Sequence, residues 1–386
     1  MRICHVTPHL PPDQAANALL PFHLGTWAAE AGHEVRFVAH PPRAGAAANL
    51  PGSAVWIPSH LQATRFLRAT KLASCQELWR VTTHARAAVA WADVVHVHSN
   101  GLLAESSALL AGVLNKPVVL TLYGTEIWHY RAKPFDLFTR MLRRARLVTY
   151  YSRGLMDRAR DFGLARPGAA VVYPPVAETF QWHDVASQMH LRRELGVEAR
   201  HLLVNVKRLH PLASQKTLID AMPAILAAHP DTQLFVCGTG PLRAELEAQS
   251  LARGVHTHVR FAGLVDNHLV AHYCAAADLF VLPSQLEACP TVAVEALASG
   301  TPVVSSDNPG GVELHELFGD DVEVVPRGDA GQLAAAVIER LAHKRRTRPS
   351  TAEVLAREFR PDVAWRRFLR IYQDAAGREH VRDNAA

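Results

Sequence analysis

No run of about 18 uninterrupted apolar residues occurs anywhere in the chain, and a bilayer-spanning helix needs about that many. The opening MRICHVTPHLPPD reaches Pro8 and Pro11 too soon for the apolar core of a secretory leader. It reads instead as a first β-strand. Cysteine is scarce: Cys4, Cys75, Cys237, Cys274 and Cys289 are odd in number, far apart and without a C-x-x-C pair. Free thiols in a reducing cytoplasm are expected, rather than a disulfide framework or a cysteine zinc site. The 22 histidines are scattered and make no H-E-x-x-H or comparable cluster. His96 and His98 alternate in DVVHVH and face one side of a sheet end, so no metal site is expected. Low-complexity segments and solenoid repeats are absent as well.

What is present is an ordinary globular composition, 49% apolar and 20% charged, over 386 residues. That length exceeds one compact core and suits two domains of roughly 180 residues each. Charge is uneven. Residues 1–180 carry 19 Lys and Arg against 11 Asp and Glu, a net +8, whereas 181–386 carry 22 against 25, a net −3. The basic half suggests an anionic partner. Its basic residues are not interleaved with aromatics as in nucleic-acid readers, so an anionic membrane surface or acceptor is expected and nucleic acid is not.

Short β-branched apolar runs alternate with helical patterns throughout. RICHVTP, HEVRFVAH, AVWIP, DVVHVH, PVVLTLYG, RLVTYYS and AAVVYPP read as strands of the first half. HLLVNVKRL, TQLFVCG, HVRFAG, LFVLPS, TPVVSS and VEVVP play that part in the second. Helical patterns include LLPFHLGTWAAEAG and the Arg65–Ala92 region. Strands buried on both faces and separated by helices specify an α/β class with doubly wound parallel sheets. Pro174-Pro175 breaks the chain near its middle, giving domains over 1–178 and 179–360. DVAWRRFLRIYQDAA follows within 361–386 as an amphipathic helix with Trp365, Phe368, Leu369 and Tyr372 near helical spacing, and a frayed tail after Gly377. Open α/β sheets bind ligands beyond the carboxyl ends of their strands, so two facing sheets would place a site in the cleft between them.

Three segments carry chemistry. In VLPSQLEACPTVAVEALASG (281–300), Glu287 and Glu295 stand in an E-x7-E arrangement across a strand–loop–helix junction. Pro290 suits the helix start, and the N–H groups of Thr291 and Val292 make a diphosphate cradle at the positive end of the helix dipole. Glu295 could accept two ribose hydroxyls and Glu287 could reach the sugar. The alternative is that Glu295 pairs with an arginine and Glu287 is a solvated loop residue. In VNVKRLHPLASQKTLIDAM (204–222), Arg208 and Lys216 offer a fork and a point charge for a diphosphate leaving group; alone, they could equally be solvated. In CGTGPLRAEL (237–246), Gly238 and Gly240 permit close backbone approach to a ligand, or form a plain tight turn. Arg243 occupies the place of the third glycine of G-x-G-x-x-G, which disfavours a dinucleotide-binding dehydrogenase.

Together with FAGLVDNHLVAHYCAAADLFVLPS between them, these segments resemble the family-4 retaining glycosyltransferases, strongly over about 200–330 and topologically before that. The resemblance implies the GT-B fold, two Rossmann-like doubly wound parallel-sheet domains facing across a cleft, the first binding acceptor and the second binding donor. It puts Arg208 and Lys216 on the donor diphosphate, Glu287 against the transferred sugar and Glu295 on the ribose. Pro290, Thr291 and Val292 would lie near the phosphates, Gly238 and Val265 by the base, and the last helix would cross back onto the first domain.

The chain departs from the family pattern in three places. PPDQAANALL (11–20) lacks the usual Gly-Gly loop, although Ala15 and Ala16 are small. Tyr123 in LTLYGTEIWH stands where many members have His; Tyr123, Gly124, Glu126 and His129 are the acceptor-side candidates, and tyrosine is a poor base at neutral pH. Lys207-Arg208 replaces the usual Gly-Arg.

The implied reaction is front-face transfer of a sugar from a nucleotide diphosphate-sugar, UDP by family frequency, to a hydroxyl in bacterial glycan, glycolipid or polysaccharide synthesis. The acceptor would be a glycan, a lipid-linked molecule or a small natural product, with no cofactor and no essential metal. A nucleotide-sugar epimerase or hydrolase, and a non-catalytic sugar-nucleotide binder, are the competing readings. In RFLRATKLASCQELWR, Arg65, Arg68 and Lys71 recur every third residue beside Phe66, Leu67, Leu72, Leu78 and Trp79. This helix either rests on anionic lipid at the inner membrane face or buries its apolar side on the first sheet.

Overall fold

The computed structural model describes the chain apart from residue 14 and the segments 43–48, 70–71, 132–135 and 378–386, and apart from the side chains of residues 62, 67 and 69. Lys71 and the tail beyond Gly377 therefore lie outside the described residues. The chain divides into two compact units, Met1–Tyr173 with Ala364–Ala386, and Pro174–Val363.

Among the described residues the first unit holds seven strands: β1 (Arg2–Thr7), β2 (Glu34–Ala39), β3 (Ser53–Trp56), β4 (Val94–His98), β5 (Val118–Leu122), β6 (Leu147–Tyr150) and β7 (Ala170–Val171). They lie in the order β3-β2-β1-β4-β5-β6-β7, all parallel. Every residue of β4 and β5 is buried, as both faces of a parallel sheet require. The second unit holds β8 (His201–Val206), β9 (Thr232–Cys237), β10 (Val259–Gly263), β11 (Leu279–Leu282), β12 (Val303–Ser306) and β13 (Val322–Val325). Their order is β10-β9-β8-β11-β12-β13, again parallel. Strand order reverses direction between β1 and β4 in one sheet and between β8 and β11 in the other. Ligands of doubly wound sheets lie at such switch points, beyond the strand carboxyl ends.

Each unit has its own apolar core. In the first, Val95, Val97, Leu120 and Leu122 of the sheet pack with Leu103, Ile127 and Leu142 from helices. In the second, Leu203, Val236 and Val281 meet Leu218, Met222 and Val337. Each such side chain contributes about 1.5–3 kcal/mol by leaving water. The helix Pro361–Ala375 buries Ala364, Phe368, Tyr372 and Ala375.

Among the described residues the Arg65–Ala92 region holds the helices Arg65–Ala69, Leu72–His84 and Arg86–Trp91. Of the middle one only Ala73, Glu77 and Val81 are buried. Large apolar side chains of the first two helices stand exposed: Phe66 is 71% and Trp79 61% exposed, and Leu72 and Leu78 are exposed too. Among the described residues no helix is long and apolar enough to cross a membrane, and all five cysteines are free.

Candidate functional site

In the second unit, β8 and β11 are neighbours, so the loops that leave their carboxyl ends run side by side. Between them opens a cavity of about 240 Å³ lined by Lys207, Arg208, His210, Leu212, Leu286 and Glu287 together with Ala213. The Lys207 ammonium lies 2.7 Å from Oε1 of Glu287, whose side chain is only 10% exposed. Glu287 is thus not a solvated loop residue. Arg208 is exposed beside it, its guanidinium without a partner among the described residues. Lys216, the second residue of the helix Gln215–Ala228, stands outside this lining; it is exposed, with Nζ 3.9 Å from Glu245 Oε1.

Gly238 and Gly240 bring backbone close to backbone. A Cβ on Gly238, whose φ is +137°, would lie 2.1 Å from the Lys207 carbonyl oxygen, and one on Gly240 2.2 Å from that of Leu209. Lys207 N–H donates to the Cys237 carbonyl at 2.9 Å and Leu209 N–H to that of Thr239 at 3.0 Å. The close approach that these glycines allow is to the protein's own Lys207–Leu209 segment, which they hold in place. Val265 is half-buried after β10, outside the cavity lining.

The loop carrying Glu287 is pinned from several sides. Gln285 N–H donates to the Leu212 carbonyl at 2.8 Å and its amide to Ser214 Oγ at 3.0 Å. Asn308 Nδ2 donates to the Ser284 carbonyl at 3.0 Å, and Gly310 N–H to that of Glu287 at 3.0 Å. A Cβ on Gly310 would sit 2.9 Å from Pro290 Cδ and 3.0 Å from Glu287 Cβ, so only glycine lets the loop lie this close. The sequence reading did not single out Lys207 as a partner of Glu287, nor Gly310 at all; both matter through contacts distant in sequence.

Pro290 is the N-cap of the helix Thr291–Ala298 rather than its first residue. The N–H groups of Thr291 and Val292 have no acceptor among the described residues, as the first turn of a helix dictates. The Glu295 carboxylate, one turn in, makes no ion pair or hydrogen bond among the described residues, so the arginine pairing is not what holds it. Burial pushes its carboxyl up to about 7, because a charge removed from water with no partner is disfavoured.

In the first unit, Tyr123 and Gly124 follow β5. Glu126 is buried and committed: its Oε2 accepts from the N–H of Gly124 at 2.8 Å and of Tyr123 at 3.3 Å. Its Oε1 accepts from Ser99 Oγ at 2.6 Å. Glu126 therefore shapes the turn and has no free oxygen for base chemistry. His129 is exposed at the end of the short helix Thr125–Trp128. The Tyr123 hydroxyl lies 2.7 Å from His98 Nδ1. Burial, and then the neighbouring Tyr151, hold it well above the ordinary phenol range, so it stays protonated at neutral pH.

The parallel register pairs His5 with His96, which brings His5, His96 and His98 together with ring nitrogens within 4.8 Å of one another. Sequence spacing shows two of these and not the third. His98 Nε2 lies 3.1 Å from His5 Nδ1. His96 is 2.8 Å from the Tyr372 hydroxyl through Nδ1 and 2.7 Å from Thr121 Oγ1 through Nε2. Both nitrogens of His96 and of His98 are thus engaged and only His5 Nε2 lacks a partner. A cation here would have to displace those bonds and would find no carboxylate in the trio. Burial drives His5 down to about 3 and the other two well below their usual range.

Family models match both halves: Glycosyltransferase Family 4 over residues 22–180 and Glycosyl transferases group 1 over 188–353. The chain is 31% identical, over 69% of its length and 71% of the relative, to the GDP-mannose-dependent alpha-(1-6)-phosphatidylinositol monomannoside mannosyltransferase of Mycolicibacterium smegmatis. It is 29% identical to TuaC of Bacillus subtilis, named for teichuronic acid biosynthesis, over 68% of this chain and 64% of that relative. Among solved structures, HepE of Anabaena in complex with UDP superposes with a TM-score of 0.73 at 17% identity, covering 97% of this chain and 100% of that one.

Proposed function

We propose that this chain, which belongs to the family-4 glycosyltransferases, transfers a sugar with retention from a nucleotide diphosphate-sugar to an acceptor hydroxyl, and needs no metal. The observation that carries the reading is the convergence at the β8/β11 switch point. A free guanidinium at Arg208, the Lys207–Glu287 pair, open N–H groups at Thr291 and Val292 and the unpartnered Glu295 all follow the carboxyl ends of these two strands.

Each group then has a task. The N–H groups at the helix start and Arg208 take the diphosphate, with Lys216 as a further cation. Glu295 accepts the ribose hydroxyls that its carboxylate lacks. Glu287, anchored by Lys207, faces the sugar. The acceptor oxygen bonds to the anomeric carbon on the face the diphosphate leaves; the carbon–phosphate-oxygen bond breaks, and a phosphate oxygen takes the acceptor's proton. Fixed donors stabilise the charge that grows on the leaving group, which is the work a divalent ion does elsewhere. UDP, seen on HepE, and GDP, used by the mycobacterial relative, are the two bases to test.

The exposed Phe66, Leu72, Leu78 and Trp79 beside exposed Arg65 and Arg68 support a peripheral location on anionic lipid at the inner membrane face, where a lipid-linked acceptor would be found. The deciding experiment incubates the protein with UDP- and GDP-sugars, a bacterial lipid extract and EDTA, and follows products by NMR. A glycoside keeping the donor's anomeric configuration is expected. Free sugar alone would mean a hydrolase, an altered nucleotide-sugar an epimerase, and binding without turnover a non-catalytic protein. Loss of activity in EDTA, restored by a divalent ion, would overturn the metal-free part. Sedimentation with phosphatidylglycerol vesicles at low salt, reduced by Arg65→Gln/Arg68→Gln/Trp79→Ser, tests the lipid contact.

A further inference from the structure

The helix Asn267–Ala276 joins β10 to β11 in the second unit. It is anchored along its inner side, where Val270, Ala271, Tyr273 and Cys274 are buried. Asp266 fixes its start, with Oδ1 accepting from the Leu269 N–H at 2.9 Å. His268 and His272 stand four positions apart on this helix, so they are neighbours on one face. Their ring centroids are 4.4 Å apart, with the planes tilted by 58°. His268 is exposed and His272 half-buried. Neither ring forms a hydrogen bond or ion pair among the described residues. The contrast is with His190, another exposed imidazole, which is paired with Glu194 at 3.2 Å.

Two neutral imidazoles on successive turns of a helix make a chelate, because each carries one nitrogen lone pair. Two nitrogens on one tetrahedral cation, each bonded at about 2.0–2.1 Å, stand roughly 3.3 Å apart. Rings with centroids 4.4 Å apart reach that spacing by side-chain rotation. The surroundings favour a cation over an anion. The Asp266 carboxylate, at the N-cap two residues before His268, offsets the positive end of the helix dipole, and residues 181–386 carry a net −3. Nitrogen ligands then select among cations: imidazole suits Zn²⁺, Ni²⁺ and Cu²⁺, whereas Mg²⁺ and Ca²⁺ take oxygen.

We infer that His268 and His272 form a surface binding site for a divalent transition-metal ion, with water completing its coordination. The bound ion clips the first two turns of the helix together. No residue of this helix lines the Lys207–Glu287 cavity, so the ion has no part in the transfer chemistry proposed above.

The test is calorimetric titration of the full-length, tag-free protein, stripped with EDTA and dialysed free of it, with Zn²⁺ and Ni²⁺ at pH 7.5. Mg²⁺ and inorganic phosphate are the controls. Saturable binding of one Zn²⁺ or Ni²⁺ per chain is expected, with neither control binding at this site and the melting temperature rising as the metal is added. His268→Ala and His272→Ala should each weaken the metal at least tenfold, because one imidazole alone loses the chelate. Cys75→Ser, which removes the exposed thiol, should leave the affinity within twofold of wild type. His272 is half-buried, so a His272→Ala protein that fails to fold leaves the exposed His268 to decide. No saturable metal binding by the wild type, affinity unchanged in His268→Ala, or a tenfold loss in Cys75→Ser would overturn the site.

Discussion

Lys207 and Glu287, eighty positions apart in the chain, meet at 2.7 Å. They join the loop after β8 to the loop after β11, neighbouring strands of one sheet. Glu287 is thereby oriented in a site where few other contacts fix its carboxylate. The lysine that stands in place of the family's usual glycine thus pairs with the glutamate.

Lys207→Met should therefore lower kcat/KM by about 10–100-fold, with most of the loss in kcat. The Lys207→Met/Glu287→Gln double variant should be little worse than the poorer single one, since groups acting as a unit are non-additive. Steady-state kinetics of the three proteins checks this, and multiplied losses would mean the two residues act independently.

Arg208→Ala should cost a charge-assisted contact of about 1.5–3 kcal/mol, roughly 10–150-fold in kcat/KM. Lys216→Ala tests the companion assignment, for which the same range is expected if the lysine turns from Glu245 toward the diphosphate. Near-normal kinetics in either variant removes that residue from the leaving-group site.

Glu295→Gln should separate stability from binding. The folded carboxyl titrates at about 7 against an ordinary 4.5, so between those values the folded state binds the extra proton. This contribution to stability is present at low pH and lost as pH rises through that window. The glutamine variant should consequently melt higher than wild type at pH 8 and about equally at pH 4.5, while binding the nucleotide more weakly. Thermal scans at the two pH values, with and without UDP or GDP, measure both effects. A variant less stable at pH 8 would contradict the assignment.

The buried histidines predict the opposite slope. Burial holds His5 at about 3, so below its ordinary 6.5 the unfolded chain takes up the proton first. Stability from a neutral His5 is present above pH 6.5 and lost as pH falls toward 3. Replacing His5 with Phe should flatten the acid limb by up to about 1.4 kcal/mol per pH unit. Urea melts between pH 4 and 7 give the comparison.

Gly310→Ala should push the Glu287–Pro290 loop outward, because the added carbon would lie 2.9 Å from Pro290 Cδ and 3.0 Å from Glu287 Cβ. A loss of about 1–3 kcal/mol in stability is expected from such crowding, with reduced kcat/KM. Unchanged values in both would show that the loop yields freely.

Much of this molecule is written locally in its sequence. The central strands, VVLTL and LFVL among them, are apolar runs legible from sequence, because a strand buried on both faces needs little else. The junction at Glu287–Glu295 is legible for a similar reason, since a strand end, a proline and a helical pattern within ten residues mark a helix start. What tertiary structure decided is which groups meet. Strand order set Lys207 beside Glu287, parallel register set His5 beside His96, and the helix Leu72–His84 turned Glu77 inward while leaving Leu72, Leu78 and Trp79 to solvent. Glu126 became a turn-former by capping two N–H groups, and Glu295 was left without a partner. Pairings between residues tens or hundreds of positions apart leave no periodic trace along the chain; they exist only once the sheets are assembled.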